Sequence, residues 1–330
     1  MLQWGLYIYQ RYIRSAPGDF AWRPHFWWLQ VGYTVFVRIA DFVEDHLCPL
    51  KERIELPLSD AGSWTEDETL CKLRGADVLP DTFEKICRLD DRTISKTLRQ
   101  IDEDLPAVQN HEALAIQLVR QHTRIPVPRL YQTYSHPLDE ETTYLIIDFV
   151  KGERLDHAWP KLSWLARARV AWTLRSYVRQ LRKIKTEQSL VPGPLGPRPL
   201  FCLGYNWTST DEALPFADAP ALFARLEARH EGPGRRPRLS VFDGFDKPQP
   251  LVFVHNDLCM RNIILGDDGQ VWLIDWGVSG FYPEFFEFTN MQLAAASDWS
   301  GVVPMSWKAC IPFIADPYYA RKLWVLGLGY

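Results

Sequence analysis

The chain has 330 residues, 47% of them hydrophobic and 24% charged, with a formal net charge of -4. That length calls for one two-lobed domain or two domains, and that balance argues against wholesale disorder. The absence of any basic excess excludes a nucleic-acid binder, so an anionic substrate would be held by local cations or by metal and not by a global field.

The first 65 residues form an aromatic-rich N-terminal extension. Trp4, Trp22, Trp27 and Trp28 alternate there with Arg11, Arg14, Arg23 and Arg38. The segment reads either as a membrane-interface helix or as an extension packing its aromatic face on the main domain. The second is favoured, because aromatic stripes at helical spacing are usually core. The apolar stretch from Phe26 to Ala40 contains Gln30 and Arg38 and falls short of the ~20 residues a spanning helix needs, so no membrane association is read. No leader pattern is visible. The six cysteines show neither CxxC pairing nor zinc-like spacing. Free thiols and a cytoplasmic location are the expectation.

Residues 66–150 read as a smaller lobe. Ile86–Leu89 and Thr93–Leu98 alternate as strands around an Asp90-Asp91 turn. Asn110 is a suitable N-cap for a helix over Glu112–His122, which Ile125-Pro126-Val127-Pro128 ends. Thr143–Val150 is a strongly apolar strand closed by Lys151-Gly152. Residues 151–330 read as a larger, mostly helical lobe, with helices over Trp164–Lys185 and Pro220–Arg229 and a Pro/Gly-rich loop at 191–199.

Two buried-strand candidates, Leu251–Val254 and Val271–Ile274, flank the polar run His255-Asn256-Asp257-Leu258-Cys259-Met260-Arg261-Asn262. Asp267-Asp268-Gly269 makes a hairpin turn. The turn brings Asn262 and Asp275 to one end of the hairpin, where they converge with Asp257. Phosphoryl transfer needs such a cluster, with one carboxylate to accept the proton of the attacking hydroxyl and hard oxygen ligands for magnesium.

His255-x-Asp257-x-x-x-x-Asn262 followed by Ile274-Asp275-Trp276 resembles the motif of the aminoglycoside phosphotransferase and choline kinase-like enzymes, relatives of the protein kinases. Tyr282-Pro283-Glu284 with Glu287 resembles the fungal-type branch of that family. The resemblance covers residues 80–300. It implies an α+β, protein kinase-like two-lobed fold, with an antiparallel sheet and one main helix in the small lobe. It also implies an ATP- and Mg2+-dependent transfer of phosphate to a small-molecule acceptor. Asp257 would be the catalytic base, His255 would brace its loop, and Asn262 and Asp275 would hold magnesium. Arg261 reads equally as a phosphate or substrate contact and as a solvated loop arginine. Lys96 would meet the nucleotide phosphates, with Glu112 as its ion-pair partner, and Asp148 and Val150 would lie at the hinge that meets adenine. Glu284, Glu287 and Asp298 are candidate contacts for a cationic acceptor, with helix capping as the alternative for the first two.

Two departures stand out. The stretch before Lys96 has no GxGxxG, with only Gly75 nearby and no glycine from Cys87 to Thr93. Asn256 also stands where the family commonly has glycine. The glycine-poor lobe keeps open a second function, a catalytically weak or inactive nucleotide-binding protein. A protein kinase ranks lower, because Tyr282-Pro283-Glu284 follows Asp275 too closely for a peptide-docking segment. Neither the acceptor nor the oligomeric state is legible.

Overall fold

The computed structural model describes residues 35, 38–43, 52–79, 86–99, 110–136, 139–207, 213–229, 248–297 and 303–318. Trp4, Trp22, Trp27, Trp28 and Asp298 lie outside this set.

Helix α1 (Glu66–Arg74) opens on a reciprocal capping box. Thr65 accepts from the Glu68 amide, and the Glu68 carboxylate accepts from that of Thr65. Five strands follow: β1 (Asp77–Val78), β2 (Ile86–Arg88), β3 (Thr93–Arg99), β4 (Leu130–His136) and β5 (Asp139–Asp148). They form one antiparallel sheet in the order β1-β2-β3-β5-β4. Helix α2 (His111–His122) lies between β3 and β4 in sequence. Its N-cap Asn110 accepts from the amides of Glu112 and Ala113, as the residue type and its position predict. The same helix buries Ala113, Ala115, Ile116 and Val119, whose spacing places them on one face.

The larger lobe begins with the short strand β6 (Gly152–Arg154) and helix α3 (Leu155–Ala158). Helix α4 (Trp164–Lys183), capped by Ser163, supplies Val170, Leu174, Val178 and Leu181 to the core. Helix α5 is Ala219–Ala228, capped by Asp218. Then come β7 (Leu251–Val254), β8 (Ile263–Gly266), β9 (Val271–Leu273), β10 (Gly280–Pro283), α6 (Phe285–Ser297) and α7 (Met305–Ala315). A single contiguous apolar cluster runs from α2 and β5 through α4 to α6 and α7. The two lobes therefore share one core, and the chain has a protein kinase-like two-lobed α+β fold.

Several expectations change in detail. The strand placed at Thr143–Val150 is β5, which starts earlier and stops at Asp148. The strand placed at Val271–Ile274 ends at Leu273, although the Ile274 amide still donates to the Asn262 carbonyl (3.0 Å) in the register of the β8–β9 ladder. β7 does not join the hairpin. It pairs with β10, while β8 and β9 form a sheet with β6. The stretch at Tyr282-Pro283 is the end of β10, and α6 starts two residues on at Phe285. The second edge of β10 is bridged to Gly193 at Phe281, and Pro283 lies beyond that bridge as the last residue of the strand.

Residues 52–65 run along the main domain. The Arg53 guanidinium donates to the carbonyls of Ile125 (3.1 Å) and Arg120 (3.4 Å). The backbone of Ile54 exchanges two hydrogen bonds with the Gln270 carboxamide at 2.8 Å each. Glu55 accepts from Arg53, Arg120 and Arg129. Although burial opposes it, these guanidinium groups lower its carboxyl to about 2. This part of the chain thus ties α2, the start of β4 and the β8–β9 turn together. Among the described residues no helix is long and apolar enough to cross a membrane.

Candidate active site

The site is assembled from both lobes. Lys96 sits mid-strand in β3 opposite Leu145 of β5 and is 3% exposed. Its ammonium donates to both oxygens of Glu112 at 2.9 Å and to Asp275 Oδ1 at 2.7 Å. Glu112 is fully buried, and its carboxylate also accepts from the Trp276 amide (3.2 Å). Beside it, His111 Nε2 donates to the Gly277 carbonyl (2.7 Å). The first turn of α2 thus holds the segment after β9 at two points, Trp276 and Gly277, and Lys96 of β3 holds it at a third. Burial drives the His111 imidazole down to about 4, so it is neutral near pH 7. Burial alone would raise the Asp275 carboxyl, but the Lys96 ammonium outweighs it and holds the group below its ordinary value. About 40% of the Asp275 side chain stays exposed, so the carboxylate is reachable from the cleft.

Asp275 has φ 64° and Asn256 has φ 68°, both in the left-handed region. Such residues cost energy unless their surroundings fix them. For Asp275 the anchors are Lys96 and the buried Trp276 ring, which packs 4.5 Å from the His255 ring and stacks on Phe253. For Asn256 the anchor is its own side chain. Its amide donates to the carbonyls of Leu203 (2.7 Å) and Val278 (3.1 Å), and its oxygen accepts from Asn290. Asparagine tolerates this backbone region better than most residues, so the departure from glycine preserves the loop and adds three anchors.

His255 is fully buried. Its Nε2 donates to the Ile274 carbonyl (3.0 Å), and Nδ1 accepts from the Asp257 amide (3.4 Å). One neutral tautomer satisfies both bonds. Burial lowers its pKa to about 4 against the opposing pull of Asp275. The imidazole is a brace across the loop.

Asp257 accepts from Asn262 Nδ2 (2.9 Å) through Oδ2 and from Arg261 Nη2 through both oxygens (3.1 and 3.2 Å). Burial raises its carboxyl to about 6. Arg261, Asn262 and Cys259 pull the other way, and Asp275 adds to the rise. The same Asn262 amide donates to the Asp257 carbonyl (2.9 Å), which leaves its oxygen on the opposite side. Asn262 and Ile274 are joined through their backbones, so Asn262 and Asp275 flank one point at the end of the hairpin. Among the described residues no three or more His, Cys, Asp or Glu side chains cluster to hold a metal by themselves. One amide oxygen and one partly exposed carboxylate form a donor set that suits magnesium completed by phosphate oxygens.

Other expected site residues are occupied elsewhere. The Asp148 carboxylate accepts from the Arg129 amide (2.7 Å) and the Tyr131 hydroxyl (2.7 Å), and the Asp148 amide donates to the Arg129 carbonyl. Val150 is buried at the chain's exit from β5. Glu287, an acceptor contact by expectation, is instead fully buried. It accepts from the amides of His255 (2.7 Å) and Asn256 (3.2 Å), so no acceptor can reach it. Burial raises its carboxyl to about 7, against those amides and Arg182. Glu284 is likewise engaged within the protein, paired with Arg182 of α4 (2.8 Å) beside Asp316. In the glycine-free stretch before Lys96, Leu89–Arg92 is a tight β2–β3 turn, and residues 80–85 lie outside the described set. The sequence Leu79-Pro80-Asp81-Thr82-Phe83-Glu84-Lys85 has no glycine either.

Tyr205, Gly204 and Asn290 carry no local signal that marks them as site residues. The first two sit in an irregular segment without periodicity, and Asn290 lies inside an apolar helix. The Tyr205 hydroxyl accepts from Arg261 Nη2 (2.7 Å), so Arg261 is held between two partners and is not a solvated loop arginine.

Residues 84–309 match the model of the phosphotransferase enzyme family, and the chain belongs to that family. No curated protein matches it by sequence. Among solved structures it is similar to a thermostable mutant of aminoglycoside phosphotransferase APH(4)-Ia in its apo form. That match has 15% identity and a TM-score of 0.49, covering 80% of this chain and 88% of the other. It is also similar to wild-type aminoglycoside 2'-phosphotransferase-IIIa in complex with GDP. Here identity is 10% and the TM-score 0.47, with 90% and 88% of the two chains covered. Family membership rests on the sequence match and not on these distant likenesses.

Proposed function

We propose that the protein transfers the γ-phosphate of ATP to a hydroxyl of a small molecule. The observation that carries this reading is the Lys96 ammonium, buried and in contact with both Glu112 and Asp275. It joins the small lobe to the hairpin, so that a phosphate-binding cation, a metal-binding carboxylate and a base share one cleft. Asn262 and Asp275 would hold magnesium, which when bound neutralises charge on the transferring phosphates. Asp257 orients the acceptor hydroxyl and takes its proton. A base raised to about 6 is still ionised at neutral pH and is more basic than an ordinary aspartate. His255, Glu287 and Asn256 fix the backbone around it. With β10 ending at Pro283 and α6 starting at Phe285, a peptide-docking segment has little room after Asp275, which favours a small acceptor. A cationic acceptor loses one of its three expected contacts, the buried Glu287, while Glu284 is paired with Arg182 but keeps 40% of its side chain exposed.

Magnesium-dependent ATP binding by calorimetry, with slow ATP turnover measured alongside, tests the reading. Asp275→Ala should abolish the magnesium-dependent part of binding. Asp257→Asn should retain binding and lower turnover by about 100-fold or more. Wild-type turnover should fall as pH drops below about 6, as Asp257 becomes protonated. Turnover unchanged in Asp257→Asn would remove it as the base.

The glycine-poor stretch before Lys96 favours a second reading, a nucleotide-binding protein without catalysis. Wild type that binds ATP and magnesium but never turns ATP over, with any acceptor from a panel of amino sugars, choline-like amines, sugars and amino acids, would establish it.

A further inference from the structure

A closed ring of contacts ties the catalytic loop to the segment 203–205, which no expected site residue occupies. The Asn256 amide donates to the Leu203 carbonyl (2.7 Å). Two residues on, the Tyr205 hydroxyl accepts from Arg261 Nη2 (2.7 Å). The same nitrogen meets both oxygens of Asp257 (3.1 and 3.2 Å), and Asp257 follows Asn256 in the chain. Between the two anchors, Gly204 has φ +104°, and a Cβ there would stand 2.5 Å from Asn256 Nδ2 and 3.2 Å from Asn290 Nδ2. The ring closes only because position 204 has no side chain. A second tie at its base is the Leu203 amide, which donates to the Tyr282 hydroxyl of β10 (2.9 Å).

We infer that Tyr205 is a positioning residue for the base: by holding the Arg261 guanidinium across the Asp257 carboxylate, it fixes where that carboxylate points. The inference rests on Asp257 being the base of the proposed reaction. Both contacts are made by one nitrogen, Nη2, whose two protons lie in the rigid guanidinium plane, so an acceptor on one proton sets the direction of the other. Without the Tyr205 hydroxyl, Arg261 retains its charge but loses one of the contacts that orient it. An oriented cation also favours the charged form of the carboxylate it faces. Tyr205 is 37% exposed, so it forms part of the wall beside the base that an acceptor meets.

The groups acting on Asp257 come from several elements. Arg261, Asn262 and Cys259 belong to its own loop, Asp275 follows β9 with Lys96 of β3 bonded to it, Tyr205 lies on the 203–205 segment, and Glu287 is on α6. Arg261 is the cation in direct contact with the Asp257 carboxylate.

Protein with 15N-labelled arginine side chains, with the Arg261 guanidinium signals assigned by their loss in Arg261→Met, reads the contact at one pH and without any turnover. In wild type the Arg261 Nη protons should give separate signals, because Tyr205 and Asp257 hold the guanidinium against rotation. In Tyr205→Phe and Gly204→Ala those signals should merge, with thermal melts showing that the fold is retained. Where ATP turnover is measurable, Tyr205→Phe should lower kcat several-fold and leave KM for ATP unchanged. Signals that stay separate in Tyr205→Phe, or turnover that is unchanged there, overturn the inference. Signals that merge in a protein that never turns ATP over would uphold the contact and count against Asp257 as a base. Turnover that Asp257→Asn abolishes, with signals unmoved in Tyr205→Phe, would do the reverse.

Discussion

Two glutamates in the first turns of two helices grip the two halves of the site, and they do so by different physics. Glu112 in α2 meets the Lys96 ammonium and the Trp276 amide. Glu287 in α6 meets two backbone amides, those of His255 and Asn256. Both are fully buried. The first is held by a formal charge of opposite sign, so its loop depends on the ion pair being complete. The second is held by amide dipoles, and burial raises its carboxyl to about 7, into the range where cellular pH titrates it. One half of the site is thus fixed by pairing, and the other carries a group whose charge changes near neutrality.

Removing the cation should have the largest effect. Lys96→Met leaves Glu112 buried without its counter-charge, and a broken buried pair costs about 3–5 kcal/mol. Urea denaturation should show a loss of that order, and a loss below about 1 kcal/mol would mean that Glu112 finds another partner. Glu287→Gln should cost less, about 1–3 kcal/mol, because one amide of the catalytic loop loses its acceptor. Its pH dependence separates the two glutamates. The Glu287 pKa is raised on folding from 4.5 to about 7. Its contribution is therefore fully present below about 4.5 and is lost as pH rises towards 7. The stability of wild type relative to Glu287→Gln should fall across that window. His255 and His111 have the opposite sign. Their pKa values are lowered from 6.5 to about 4, so their contribution is present above 6.5 and lost as pH falls towards 4. They cancel in the comparison with Glu287→Gln. A difference between the two proteins that stays flat from pH 4.5 to about 7 would contradict a titrating Glu287. The smallest effect is expected at Asn256, on the loop that Glu287 holds. Asn256→Gly keeps the left-handed backbone and loses side-chain bonds, at about 1 kcal/mol. Asn256→Val should cost more in the same melts, because a β-branched residue resists φ 68°.

Much of the site is legible from local pattern. His255, Asp257, Asn262 and Asp275 lie within one hairpin, where chain connectivity alone brings them together. The Asn110 cap and the Ile86–Arg88 and Thr93–Arg99 strands also follow from local rules, since capping side chains and alternation act within a few residues. Glu287 escapes a local reading for the opposite reason. An acidic residue in a first helical turn looks like a solvated cap until the fold buries it against a loop 32 positions earlier. Glu284 escapes it in the same way, because its partner Arg182 lies on α4, far away in sequence.

Local order along the chain was enough to define the chemistry available at one hairpin and the helices and strands that carry it, because those depend on sequence neighbours. Only the tertiary structure decided which charges are buried, which are paired and which still reach the cleft. Lys96 meets Asp275 across 179 positions, and Arg261 meets Tyr205 across 56. Contacts of that span depend on how the two lobes close over a shared core, and no local spacing encodes them. The same closure sets the ionisation of Asp257 and Glu287, since desolvation is a property of everything packed around a group and not of the residues beside it in the chain.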